Sequence, residues 1–235
     1  MSRPHAASHT PCDARSPRPS LAPHDAIIFD LDGTLIDRAP CLHRAASRML
    51  REFGGLAPDL ATFRTLIGGG HQGLVRSSLA NAGLNQIDSD AALERFRNHI
   101  PAGLSQRAEV FGGVAAMIDT LKRRGIRVGL TTKKPRRAAH RLLDAMGLSG
   151  FDCIVTAEDV DAPMPNAALL AIACAALATV PERAIFVGDS TTDAHLAAAL
   201  PIRFVHVCPA GRSPRLAVAP VVTVQSPADL LKVLI

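Results

Sequence analysis

A chain of 235 residues, 48% of them hydrophobic, can bury one sizeable core or a core with a small companion domain. No apolar run reaches the ~18–20 residues needed to cross a bilayer, so no helical membrane span is expected. The net charge of +5 is spread along a chain that lacks tryptophan and tyrosine, and no basic–aromatic array offers base stacking, so nucleic-acid binding is set aside.

Residues 1–24 are rich in Pro, Ser, Arg and His, carry one acid (Asp13) and show no apolar periodicity. Such a stretch cannot bury enough surface to order itself and is expected to be a disordered tail. Without an amphipathic helix it makes a poor transit peptide.

From Ala26 the texture changes. Ala26–Phe29 is a short apolar run, and similar runs recur at Ile126–Leu130, Cys153–Val155, Ala184–Val187 and Phe204–Val207. Helical stripes lie between them: Val114, Met117, Ile118 and Leu121, then Ala139, Leu142, Leu143 and Met146. The alanine-rich stretch Ala167–Val180 is the length of one buried helix, and Val221–Val224 with Pro227–Leu234 adds a last strand and helix. Buried strands alternating with helices predict a mostly parallel sheet covered on both faces.

Residues 38–106 break the alternation. Leu42, Ala46, Met49 and Phe53 repeat helically, as do Leu93, Phe96 and Ile100, while Gly54–Gly55 and Gly68–Gly70 interrupt them. A helical insertion after the first strand reads as a cap, because ligands of open α/β sheets bind beyond the carboxyl ends of the strands. The five cysteines (Cys12, Cys41, Cys153, Cys174, Cys208) contain no C-x-x-C pair, which suits free thiols in a reducing compartment, and a cytoplasmic location is expected.

The chemistry lies at the strand ends. The first strand runs into Asp30-Leu31-Asp32-Gly33-Thr34-Leu35. Alone, this hexapeptide would be ordinary turn chemistry. However, Ile126–Leu130 leads into Thr131-Thr132-Lys133-Lys134, and Ala184–Val187 leads into Gly188-Asp189-Ser190-Thr191-Thr192-Asp193. Parallel strands would bring all three loops to one sheet edge. Carboxylates, hydroxyls and ammonium groups gathered there suit Mg²⁺ and a phosphate, since Mg²⁺ takes hard oxygen ligands.

These three segments, in this order, resemble the haloacid dehalogenase superfamily, and within it the phosphoglycolate phosphatase-like branch with a helical cap. The likeness spans roughly residues 25–210. It implies that Asp30 attacks phosphorus and carries an aspartyl-phosphate, while Asp32 serves as acid and then base. It also implies that Thr131 and Thr132 hold phosphate oxygens, that Asp30, Asp32 (through its backbone carbonyl) and Asp189 bind Mg²⁺, and that Asp193 steadies those ligands. In the insertion, Ile67–Arg76 resembles a cap segment of that branch, so His71 and Arg76 become candidate substrate contacts; a plain inter-helix hinge is the rival reading.

The family pattern also expects a lysine upstream of the second acidic loop, and this chain departs from it. Counting back from Asp189 puts Met164 at that position, and a shifted register puts Ala162 there. The only lysines are Lys122, Lys133, Lys134 and Lys232. Three consequences stand open: Lys133 or Lys134 reaches the phosphate instead, the enzyme is slow or uses a less charged substrate, or the chain is a catalytically impaired relative that binds a phosphorylated ligand. With no lysine between 38 and 106, phosphonoacetaldehyde hydrolysis through a cap Schiff base is not expected, and Asp32 argues against carbon–halogen cleavage.

The expected protein is therefore an α/β chain with a Rossmann-like parallel-sheet core over 25–37 and 107–235 and an α-helical cap over 38–106. Its expected activity is Mg²⁺-dependent hydrolysis of a small phosphorylated metabolite, such as phosphoglycolate or a sugar phosphate, by a monomer or homodimer. The alternatives are a phosphomutase and a catalytically impaired phosphometabolite-binding or regulatory protein.

Overall fold

The computed structural model describes residues 24–67, 69–100, 109–209, 216 and 218–234. The expected tail, save for His24, lies outside these residues, as do Gly68 and the 106/107 boundary of the insertion.

The centre of the molecule is β1 (Ala26–Asp30), whose five residues are all buried. It is flanked by β4 (Arg127–Thr132) and β6 (Ala184–Gly188), with β5 (Cys153–Thr156) outside β4, and β7 (Arg203–Val207) and β8 (Val222–Val224) outside β6. All six strands are parallel, in the order β5-β4-β1-β6-β7-β8. Burial on both faces explains why these strands read as continuous apolar runs rather than as alternations. Ile27 and Phe29 enter a cluster with Val114, Met117, Ile118 and Leu121 of α5 (Val114–Arg123) and with Leu142 and Leu143 of α6 (Arg136–Met146). Ala26 and Ile28 enter a second cluster with Leu169, Leu170 and Ala173 of α7 (Ala168–Ala176) and with Ala194 and Ala197 of α8 (Thr191–Ala198). Helices thus cover both faces. The chain ends in a turn over Pro227–Asp229 and the short α9 (Leu230–Val233).

The chain winds outward from β1 through β4 to β5, then returns to β6 on the other side of β1. The order reverses at β1, and such reversals open a crevice at the carboxyl ends of the strands. The structure gives the expected parallel α/β sheet.

A two-stranded antiparallel ribbon, not anticipated from the sequence, stands at the two ends of the insertion: β2 (Ile36–Asp37) pairs with β3 (Glu109–Val110). Strands of two residues carry no usable periodicity. Between them lie α1 (Ala39–Glu52), α2 (Leu60–Leu66), α3 (Gly70–Asn81) and α4 (Ser89–His99). Their inward faces build a third cluster around Met49, Leu50, Phe63, Val75, Leu79 and Phe96. Asp59 caps α2 by accepting from Thr62 N at 2.8 Å, and Asp88 caps α4 by accepting from Asp90 N at 3.1 Å. These contacts satisfy amides that helix geometry leaves orphaned.

One ion pair ties the ribbon to this helical unit. Arg64 of α2 donates to both carboxylate oxygens of Asp37, at 3.1 and 2.5 Å, and Asp37 also accepts from Ala39 N at 2.9 Å. Asp37 is buried and Arg64 is a quarter exposed. Truncating the carboxylate leaves the guanidinium without its bidentate partner. Asp37→Ala is expected to destabilise the protein by about 2 kcal/mol, read as a lower urea midpoint; a change within about 0.5 kcal/mol would show the pair to be idle.

Candidate active site

The strand register sets the site. Asp30 lies beside Thr131 across the β1–β4 ladder, and Phe29 lies beside Val187 across β1–β6, so Asp30 and Gly188 end their strands side by side. After β1 the chain turns tightly, with Gly33 N donating to Ile36 O at 2.8 Å. Gly33 has φ +93°, and a Cβ there would stand 2.2 Å from Asp189 Oδ2. Glycine is thus required twice over, by its backbone and by the carboxylate lying against it. Gly188 is constrained on the second count only, since a Cβ would stand 2.5 Å from Asp193 Cβ.

Carboxylate oxygens of Asp30, Asp189 and Asp193 all lie within 4.8 Å of one another. Asp30 is 8% exposed and Asp193 2%. Burial pushes the Asp30 carboxyl well above the usual carboxylate range, and repulsion from Asp193, Asp189 and Asp32 pushes it further, against a smaller pull from Lys133. Asp189 is pushed up to about 7, again by burial first and the Asp193 charge second, while Thr34 Oγ1 donates to its Oδ1 at 3.3 Å. Asp193 also completes a capping box at the start of α8: its Oδ2 accepts from Ser190 N at 2.9 Å and Ser190 Oγ at 2.6 Å, and its own N donates to Ser190 Oγ at 3.2 Å. Asp193 thus both caps α8 and stands in the carboxylate cluster.

Asp32 faces a different environment. Its carboxylate meets Lys134 Nζ at 2.8 Å and Arg38 Nε at 3.6 Å. The side chain lies outside the three-carboxylate cluster. Thr131 Oγ1 donates to Phe29 O at 3.4 Å, and Thr132 Oγ1 accepts from Lys134 N at 3.2 Å. Lys133 is exposed and exerts its field on Asp30, whereas Lys134 is taken up by Asp32. Met164 packs half-buried against the second core cluster, and Ala162 is exposed.

Reasoning from sequence passes over two contributors. His206 of β7, fully buried, holds the Asp189 main-chain carbonyl from Nε2 at 3.1 Å. Only a lone histidine inside an apolar strand signals it. Thr34 sits within the recognised hexapeptide but had no assigned contact. In the helical unit, His71 stacks edge-on against Phe96, with its pKa lowered by burial and then by Arg38 and Arg97, which keeps the ring neutral. Arg76 instead lines an open cleft of about 400 Å³ with Leu79, Leu84, Asn85 and Ile87, and none of the strand-end residues lines that cleft.

A model of the haloacid dehalogenase-like hydrolases matches residues 27–207. The chain belongs to that family. Among curated haloacid dehalogenase-like relatives, it is 37% identical over 193 residues to the plasmid-borne phosphoglycolate phosphatase of Cupriavidus necator, covering 80% of this chain and 84% of that one. It is likewise 37% identical over 181 residues to the phosphoglycolate phosphatase of Cereibacter sphaeroides, covering 76% and 82%. A haloacid dehalogenase-like hydrolase of Streptococcus pneumoniae has the same fold, with a TM-score of 0.64 at 24% identity, covering 89% of this chain and 97% of that one.

The donor set fits a magnesium ion: clustered carboxylates, largely withdrawn from water, offer hard oxygens whose repulsion a divalent cation relieves. The sign of the pH dependence follows. With folded-state pKa values raised, the folded protein binds more protons than the unfolded one above about pH 4, so stability falls as pH climbs through about 7. Metal-free protein is expected to melt lower at pH 8 than at pH 5, and added Mg²⁺ to raise the melting temperature more at pH 8. A melting temperature that rises with pH without metal would contradict this electrostatic picture.

Proposed function

We propose that this chain is a Mg²⁺-dependent phosphatase that hydrolyses a small phosphomonoester through an aspartyl-phosphate on Asp30. The observation that carries the reading is the meeting of Asp30, Asp189 and Asp193 at one sheet edge, with a separate carboxylate, Asp32, held beside them by a lysine. The relatives named phosphoglycolate phosphatase support it.

In this reading an Asp30 oxygen attacks phosphorus as the bond to the leaving alcohol breaks, and Asp32 gives that alcohol its proton. Water then attacks the aspartyl-phosphate, Asp32 takes its proton, and the bond to Asp30 breaks to release phosphate. Thr131 and the Thr132 amide, with Lys133, hold the phosphoryl oxygens. Asp30, Asp189 and the Asp32 carbonyl would hold Mg²⁺, with Asp193 as a further ligand or as the group that steadies Asp189 and Ser190. The bound ion would neutralise the charge that keeps a carboxylate away from a phosphate dianion. Helices α1–α4 act as a cap, linked by the β2–β3 ribbon, that excludes water and presents His71 to the substrate.

Hydrolysis of a phosphomonoester panel with Mg²⁺, absent in Asp30→Asn and after chelation, is the expected result. Interconversion of phosphate isomers would indicate a mutase, and binding without turnover would indicate a regulatory protein. The latter gains some support from Met164, an apolar residue where the family pattern places a lysine.

Met164→Lys would restore a cation there. It is expected to raise turnover by up to about 100-fold, the scale of one electrostatic partner at a reacting phosphoryl group. No gain would mean that Lys133 already fills that role.

A further inference from the structure

Leu56 is the most exposed large apolar side chain among the described residues, with 78% of its surface open to water. A lone exposed leucine needs no explanation, but this one has a neighbour. Gly55, just before it, lies so close to Leu84 that a Cβ there would stand 2.7 Å from Leu84 Cδ1. Leu84 walls the open cleft of about 400 Å³ between the end of α3 and the start of α4, together with Leu79, Ile87 and Arg76. The projecting leucine and the apolar hollow therefore share one end of the helical unit.

Charge follows the same division. Three residues after Leu56, Asp59 is exposed and caps α2 through Oδ1, so its charge stays at the surface. On the cleft side Arg76 is exposed, and among the described residues no ion pair holds it. The occupant that matches this cleft brings an apolar side chain with an acid close by. Another copy of this chain carries both.

We propose that two copies of this chain associate through this end of their helical units, with Leu56 of each entering the cleft of the other. A two-fold axis makes such an interface isologous, so every knob-to-hollow contact is made twice. Burial of Leu56 against Leu79, Leu84 and Ile87 supplies the apolar gain. Asp59 of each copy meets the partner's Arg76 at the rim, where an ion pair sets register more than it adds affinity. The arrangement draws on nothing at the strand ends, so it stands or falls separately from the phosphatase reading.

Sedimentation velocity and light scattering on the full chain, at up to about 100 µM, read the association directly. A dimer is expected. Leu56→Asp, which would put a charge into each hollow, is expected to raise its dissociation constant by at least about 100-fold. Because Leu56 is exposed in the single copy, that substitution removes no contact from the monomer's core. Asp59→Asn, which keeps the helix cap, and Arg76→Gln are each expected to weaken the dimer about 5-fold, and the double variant no further than either alone. A wild-type protein that stays monomeric across that range would overturn the proposal. A dimer that Leu56→Asp leaves intact, or losses at Asp59 and Arg76 that simply multiply, would overturn it too.

Discussion

Three carboxylates that repel one another, two of them buried and one half-buried, set the terms for the rest of the molecule. Asp30, Asp189 and Asp193 lie within 4.8 Å of one another at the mouth of a parallel sheet, where desolvation and like charge both oppose ionisation. Such an arrangement persists only if the scaffold holds it. Asp193 is fixed by the capping box of α8, Asp189 by Thr34 and by Gly33 pressed beneath it, and Asp30 by the central strand. Bound to a divalent cation, the same cluster would change from a source of strain to a ligand set.

The division of labour among the four acids follows from their surroundings. Asp32 is one residue removed from Asp30 in sequence, yet its carboxylate meets Lys134 and Arg38 rather than the cluster. A carboxylate beside cations and another among anions are chemically different groups, and a divalent cation on the cluster is what would leave Asp30 ionised to act as a nucleophile. The side-chain separation of Asp30 and Asp32 is therefore the physical basis for proposing distinct roles.

Much of the fold was legible because its strands are buried on both faces. Ala26–Phe29 and Ala184–Val187 are uninterrupted apolar runs, and the stripes on α5 and α6 carry helical spacing. The strand-end loops were legible for a related reason: in a parallel sheet the carboxyl ends share one edge, so order along the chain becomes proximity in space. What stayed hidden depends on side-chain direction or on elements too short for a pattern. The β2–β3 ribbon has two residues per strand. His206 reads as one polar letter in an apolar run, and its hold on the Asp189 carbonyl requires the Gly188–His206 register. Arg38 lies six residues from Asp32 in sequence, and its approach to that carboxylate, at 3.6 Å, appears only once the chain has turned at Gly33. Arg76 was singled out by its neighbourhood in sequence but lies on a different cleft, because on a helix a few residues' separation also rotates the side chain away.

The central claim is that these strand ends hold a divalent cation against the Asp30 carboxylate. Crystals soaked in Mn²⁺, a stand-in for Mg²⁺ with a usable anomalous signal, test it most directly. The predicted result is one strong anomalous peak within about 2.0–2.4 Å of oxygens of both Asp30 and Asp189. An anomalous peak elsewhere, or none at millimolar Mn²⁺ near neutral pH, would contradict it.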